Sequence, residues 1–335
     1  MAKDSGGNID WMAGREDERL EQLEERLTAL YANAENEIRS QYTDFTENFE
    51  KEDKRLAALA ESGDIPKDEY LAWRKTNIIK SDSYGLAIES MSNMLVNTDV
   101  AAMAIINAEL PAVIAESYNF VQALGFEAAD QAGITAGTFQ VYNAESVELL
   151  ISDKPNLFPA PSERTIKELG GTVDIPEDKK WSKDRINREI TQGIVQGKPL
   201  PKIADNLQRV TTMDKNAAIR NARTAMTAAE NMGRAASAAT LKENGIPVEE
   251  VWSAAGDNRV RETHRLLDGT KKNEAGYYGE GIIETLLLYP GDPRGDPEEV
   301  YNCRCRESII LAGINHSRDA ELYEEFMKQF EEPEE

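Results

Sequence analysis

The sequence predicts a mostly α protein, a long-helix N-terminal bundle followed by a small α+β C-terminal domain. Three observations predict it. Residues 15–61 repeat apolar side chains at alternating spacings of three and four, with Glu and Arg on the other faces. Residues 152–180 hold Pro155, Pro159, Pro161, Pro176 and the pair Gly170-Gly171, and no long element survives such punctuation. After Gly245 the texture changes to short β-branched and aromatic runs between Gly- and Pro-rich turns.

The elements follow in order. Leu20, Leu23, Leu27, Leu30 and Ala34 form one stripe of the first helix, continued with a shift by Tyr42, Phe45 and Phe49. Ser62-Gly63-Asp64-Ile65-Pro66 breaks it, because Gly ends a helix and Pro cannot continue one. A second helix begins near Pro66 and carries Tyr70 and Trp73. Two more are predicted over Tyr84–Val96 and Asp99–Leu124, with Asp99 as N-cap of the latter and Pro111 as a point of kinking. Gly125–Tyr142 is ambiguous between loop, short strands and short helix. Trp181–Gln196 and Leu200–Val210 are predicted helices around a Gly197-Lys198-Pro199 turn. Asp214 then caps a long Ala-rich helix ending at Asn244-Gly245. Beyond it come a strand over Pro247–Ser253, a short helix over Arg259–Leu267 with Asp257 as its cap, loops at 276–281 and 291–297, and a closing strand over Cys305–Leu311. The expected division is a helical domain at 1–151, a linker at 152–180, a second domain at 181–315 and an acidic tail at 316–335, either a solvated helix end or a loose tip.

Composition bounds the function. At 335 residues, two or three domains are expected. A net charge of −23 argues against nucleic-acid binding through the whole surface. Charge is uneven, however: residues 181–234 carry ten Lys or Arg against five acidic residues. Weak, sequence-independent DNA contact is therefore expected there if anywhere, with Lys198, Lys202 and Arg209 around the Gly197 turn as the candidates. Two cysteines cannot build a disulfide framework, so a reducing compartment is expected. Met1–Asp10 is polar and does not read as a signal peptide. The most apolar run, Val100–Ile106, is too short to suggest a membrane span, so no membrane role is expected.

Chemically special residues gather in the C-terminal third. Trp252, Asp257-Asn258-Arg259, His264 and Asp268-Gly269 are followed, about forty residues later, by Asn302-Cys303-Arg304-Cys305-Arg306. Cys303 and Cys305 share one side of an extended segment, and with His264 they make a zinc-type donor set. Asp257 and Asp268 are the only evident fourth ligands. The alternative is a buried thiol pair beside a hydrogen-bonded histidine. Asp257, Arg259 and His264 also admit a DNA- or protein-modifying enzyme, with or without zinc, since a histidine flanked by carboxylates can act as a general base. Against that, Asp257 suits a cap and Asp268-Gly269 a turn, and no nucleophile or metal pair is fixed by the spacing. No P-loop, Rossmann fingerprint, nucleophile elbow or zincin motif is present. Ile190–Leu207 has the grammar of a helix-turn-helix, but helical packing is the simpler reading.

The motif series from Trp252 to Cys305 resembles the phage Mu F-like head morphogenesis family, minor head proteins of tailed phages. The likeness covers about residues 180–310. Many relatives carry Cys-x-x-Cys before the Asp-Gly and a His before the final Cys-x-Cys. Here Arg261-x-x-His264 and Val300 stand at those places, which reduces the ligand set to three. The resemblance implies a Mu F-like α+β domain with a helical lead-in over 181–315. It implies that Arg223 and Gly233 pack the long helix against the small domain, with Arg223 in an ion pair. It further implies a non-enzymatic, low-copy virion protein inside the head, held at the portal vertex after assembly in the host cytoplasm. The portal protein is the expected partner, with scaffold or major capsid protein as others, and the roles implied are head morphogenesis and DNA packaging or ejection. Some relatives carry a toxin or transferase domain after this module, and the stretch following Cys305 is expected to be too short for one.

Overall fold

The computed structural model describes residues 11–134, 139–147 and 175–330. These are mostly helical, with one two-stranded antiparallel sheet in the C-terminal region. Helix α1 (Trp11–Ser62) buries Leu23, Leu27, Tyr31, Ala34, Ile38 and Tyr42 in a single line, as a 3.6-residue repeat requires, while Leu20 and Leu30 flank that line half-buried. Gly63, at φ +84°, ends it. Helix α2 (Lys67–Arg74) runs into one π-helical turn, Lys75–Ile79. Arg74 is fully buried there, its Nε 2.8 Å from Asp53 Oδ1, and Tyr70 donates its hydroxyl to the same carboxylate.

Two predicted breaks do not occur. Helix α3 (Asp82–Ala132) is continuous through Asp99, which is no N-cap but accepts the Tyr31 hydroxyl at 2.6 Å. It also runs through Pro111 and takes in the first part of the ambiguous stretch after Gly125. After α4 (Ile175–Val195), helix α5 (Leu200–Glu243) is likewise unbroken at Asp214, a buried residue that accepts Arg185 at 2.6 Å. In both places the carboxylate that suited a cap has found a tertiary partner, and the backbone needs no start signal. A window of α3 is long and apolar enough to cross a membrane by length and composition, at mean hydropathy 1.4, with a third of it buried in the protein. Counting uninterrupted apolar runs conceals it, because Asn97, Asp99, Asn107 and Glu109 punctuate the sequence.

The described residues form two compact units, and neither is contiguous in sequence. One falls within 25–104 and 175–219; the other falls within 11–24, 105–147 and 220–330. Helices α1, α3 and α5 each contribute to both, so the units interleave the segments that a linear reading assigned to 1–151 and 181–315. Most of the predicted 152–180 linker lies outside the described residues, and from Ile175 the chain is already helical. In the first unit Ile190, Ile194, Leu200, Ile203 and Leu207 join a core with Ile38, Tyr42, Ile78 and Ile88. The helix-turn-helix-like segment thus spends its apolar side chains on packing. Gly193 is needed there, since a Cβ would lie 2.6 Å from Ile203 Cγ1.

The second unit holds the sheet. Strand β1 (Glu249–Ser253) pairs antiparallel with β2 (Arg306–Ile310), Val251 opposite Ser308 and Trp252 opposite Glu307. Gly233 lets α5 approach α3 closely, because a Cβ would sit 2.4 Å from the Ile114 carbonyl oxygen. Helix α8 (Asp319–Lys328) buries Leu322 in a core that includes Phe120, Leu124 and Leu241, and Phe326 against Phe126 and Phe139. As far as residue 330, then, the acidic tail is a packed amphipathic helix. Its acidic residues mask the apolar face when they are counted without regard to period.

Glu307 of β2 is fully buried, 2.8 Å from Lys272 and within reach of the Tyr278 hydroxyl at 3.2 Å. Burial raises its carboxyl from 4.5 to about 7, against the pull of the Lys272 ammonium. The fold therefore favours the protonated form. The stability this adds is complete below 4.5 and is lost as pH rises through about 7. Denaturant titrations of wild type and Glu307→Gln across that window are expected to diverge by on the order of 2–3 kcal/mol, wild type losing more as pH rises. Parallel pH profiles would refute the assignment.

Candidate functional site

Trp252 anchors the site from β1. It is fully buried, edge-to-face with His264 (centroids 5.1 Å apart) and with Tyr278 (5.3 Å), above Leu267, Leu287 and both cysteines. Its backbone N–H donates to Thr270 O, and its carbonyl accepts from Gly269 N–H. Gly269 takes φ +75°, and Asp268 Oδ1 accepts the Ala254 N–H, so Asp268-Gly269 makes the predicted turn.

Asp257 does not cap the short helix. Helix α6 (Glu262–Leu267) starts later than expected, and its N-cap, Arg261, makes no side-chain capping bond. The Asp257 carboxylate instead grips Arg304 bidentately at 2.6 and 2.8 Å and accepts the Arg259 N–H. The Arg304 guanidinium holds this carboxyl well below its usual range. Arg261 donates to the carbonyls of Glu299 and Tyr301. These bonds tie the Asp-Asn-Arg segment to the Asn-Cys-Arg-Cys segment.

Helix α5 holds the second half from the other side. Thr224 Oγ1 accepts the N–H of Asn302, the one described non-glycine residue at positive φ (+55°). Thr227 Oγ1 donates to Cys303 O. Asn231 Nδ2 donates to Cys305 O and Pro290 O, while its Oδ1 accepts Glu307 N–H. Thr224, Thr227 and Asn231 stand three and four residues apart, on one helix face, and satisfy backbone that no strand partner reaches. Arg223 pairs with Glu24 at 2.6 and 2.9 Å, both half-buried.

Residues 184–308 match the family described as Phage Mu protein F like protein. The chain carries a phage Mu F-like domain. The match points to a phage head morphogenesis protein. No curated protein and no solved structure matches the chain.

Within the Mu F-like domain His264 and the two cysteines converge. His264 Nδ1 lies 3.3 Å from Cys305 Sγ and 3.7 Å from Cys303 Sγ, and all three side chains are buried. Its Nε2 lies 2.9 Å from Glu299 Oε2, on the short helix α7 (Pro297–Val300). The Glu299 Oε2 also accepts the Thr263 hydroxyl at 2.9 Å, and Nδ1 is the ring nitrogen that faces the sulfurs. The adjacent thiol and backbone N–H of Cys305 lower the Cys303 thiol, while the Cys305 thiol is pushed up by its neighbour and by burial. Among the described residues the metal-type donor group is His264, Cys303 and Cys305. Neither carboxylate considered as a fourth ligand joins it, since Asp257 is held by arginines and Asp268 by the turn. The same placement weakens the enzymatic reading: Asp257 is locked on Arg304, and the His264 nitrogens face sulfur and Glu299.

Sequence reasoning missed Glu299 and Asn231, which belong to no motif; the only signal for Asn231 is its helical spacing from Thr224 and Thr227. Lys198, Lys202 and Arg209 fall in the other unit. Arg209 pairs with Glu189 at 2.7 Å, and Lys202 lies 3.7 Å from Asp205. His316 is a part-exposed neighbour of Asp319, 3.2 Å from its carboxylate.

Proposed function

We propose that this protein is a minor head protein that binds the portal vertex during head assembly and serves DNA packaging or ejection from there. The match of residues 184–308 to the Mu F-like family carries the reading. The architecture supports it: α1 is a 52-residue helix whose line of buried apolar residues faces its own core and leaves a long, densely charged face for a partner. The helical N-terminal half is the expected portal contact.

Fragments are a poor test, because cutting between 151 and 181 would divide both compact units. The full-length chain should instead be co-expressed with the portal protein of the same phage, and the complex isolated by size exclusion and cross-linked. Co-elution with the portal ring, with cross-links concentrated on α1, is the expected result. Failure to co-elute would sink the portal assignment, and cross-links confined to residues 249–330 would move the contact to the Mu F-like domain.

A further inference from the structure

We propose that His264, Cys303 and Cys305 bind a zinc-class divalent cation through Nδ1 and two thiolates, with the fourth position open to the adjoining pocket. The donor geometry carries this. Tetrahedral zinc, with bonds of about 2.0–2.1 Å to nitrogen and about 2.3 Å to sulfur, sets N···S near 3.6 Å. The two observed separations, 3.3 and 3.7 Å, fall on either side of that figure. All three donor atoms lie within 4.8 Å of one another. Cys303 and Cys305 reach the same point because alternate residues of an extended segment share a side, while Arg304 between them turns to Asp257.

The surroundings match those of a bound cation. Glu299 Oε2 lies 2.9 Å from the far nitrogen of His264, a carboxylate beside the imidazole on the side away from the sulfurs, where such groups tune metal-binding histidines. The N–H of Cys305 donates to Cys303 Sγ at 3.4 Å, a bond that favours a thiolate. A half-open pocket of about 110 Å³ borders all three donors, and Arg259, Arg261 and Arg304 line it. Two thiolates neutralise a divalent cation. A fourth ligand entering from this side, water or a small anion, would meet guanidinium groups, so an anionic ligand is favoured. Three protein ligands and an open position are the coordination pattern of an accessible rather than a sealed zinc site.

The test uses the full-length chain and cobalt(II) alone as the probe. Expected are one cobalt ion per chain, intense visible bands of tetrahedral geometry, a near-ultraviolet sulfur-to-cobalt charge-transfer band, and loss of all three on adding zinc. Glu299→Gln keeps every ligand and is expected to weaken binding about 10–100-fold. Cys303→Ser with Cys305→Ser should abolish the charge-transfer band. Folded wild-type protein lacking that band would overturn the proposal, whether or not the double variant folds. So would cobalt binding that survives the double serine change.

Discussion

Trp252→Ala is expected to cost about 3–5 kcal/mol in urea denaturation, the usual range for deleting a buried tryptophan. Trp252 is wholly enclosed by His264, Tyr278, Leu267, Leu287 and the two cysteines, so truncation opens a cavity at the centre of the small domain. Trp252→Phe should cost much less. It keeps an aromatic ring against His264 and Tyr278, and the indole Nε1 it removes has no hydrogen-bond partner among the described residues. If the alanine variant lost less than about 1 kcal/mol, Trp252 would not be the keystone described, because the site would then have collapsed around the gap.

Arg234→Met is expected to cost a comparable amount, about 3–5 kcal/mol, because it leaves a buried carboxylate without its principal partner. Arg234 NH2 donates to both oxygens of Glu16, at 3.0 and 2.9 Å, and NH1 donates to Glu307 O. Glu16 also accepts Ser117 Oγ and Arg306 Nε. Glu230, buried beside it, is pushed well above the ordinary carboxylate range by burial and by the Glu16 charge. A double-mutant cycle gives the measurement its direction. Arg234→Met in a Glu16→Gln background should cost far less than alone, since the orphaned charge is gone. Additive losses would show that the two side chains contribute independently.

Much of the fold was legible because hydrophobic period is a local signal. The stripe of α1, the strands about Trp252 and Ser308, and the Asp268-Gly269 turn were all placed close to where they lie. The misplaced breaks share a cause. Asp99 and Asp214 have the chemistry of caps, and whether such a residue caps or pairs depends on Tyr31 and Arg185, which are 68 and 29 residues away. The interleaved units escaped for the same reason: linear punctuation marks where elements end and not which elements pack together. At the site, the rare residues were visible and their neighbours were not. Cys303, Cys305 and His264 were singled out by type, whereas Glu299 is one of 61 acidic residues and nothing local marks it as the partner of His264.

The ion pairs of the second unit span nearly the whole chain: Glu16 and Asp17 of α1 meet Arg306 of β2, some 290 positions onward. The opening turns of α1 are also held to α3, through Arg15 and Arg19 with Glu116, and to α5, through Glu16 with Arg234. Met12 and Trp11 pack both with Phe120 of α3 and with Leu322 and Tyr323 of α8. Closure over so long a loop is slow, since ordering entropy is lost before the distant contacts form. The part of this unit that is locked last is therefore the one that joins its most distant segments.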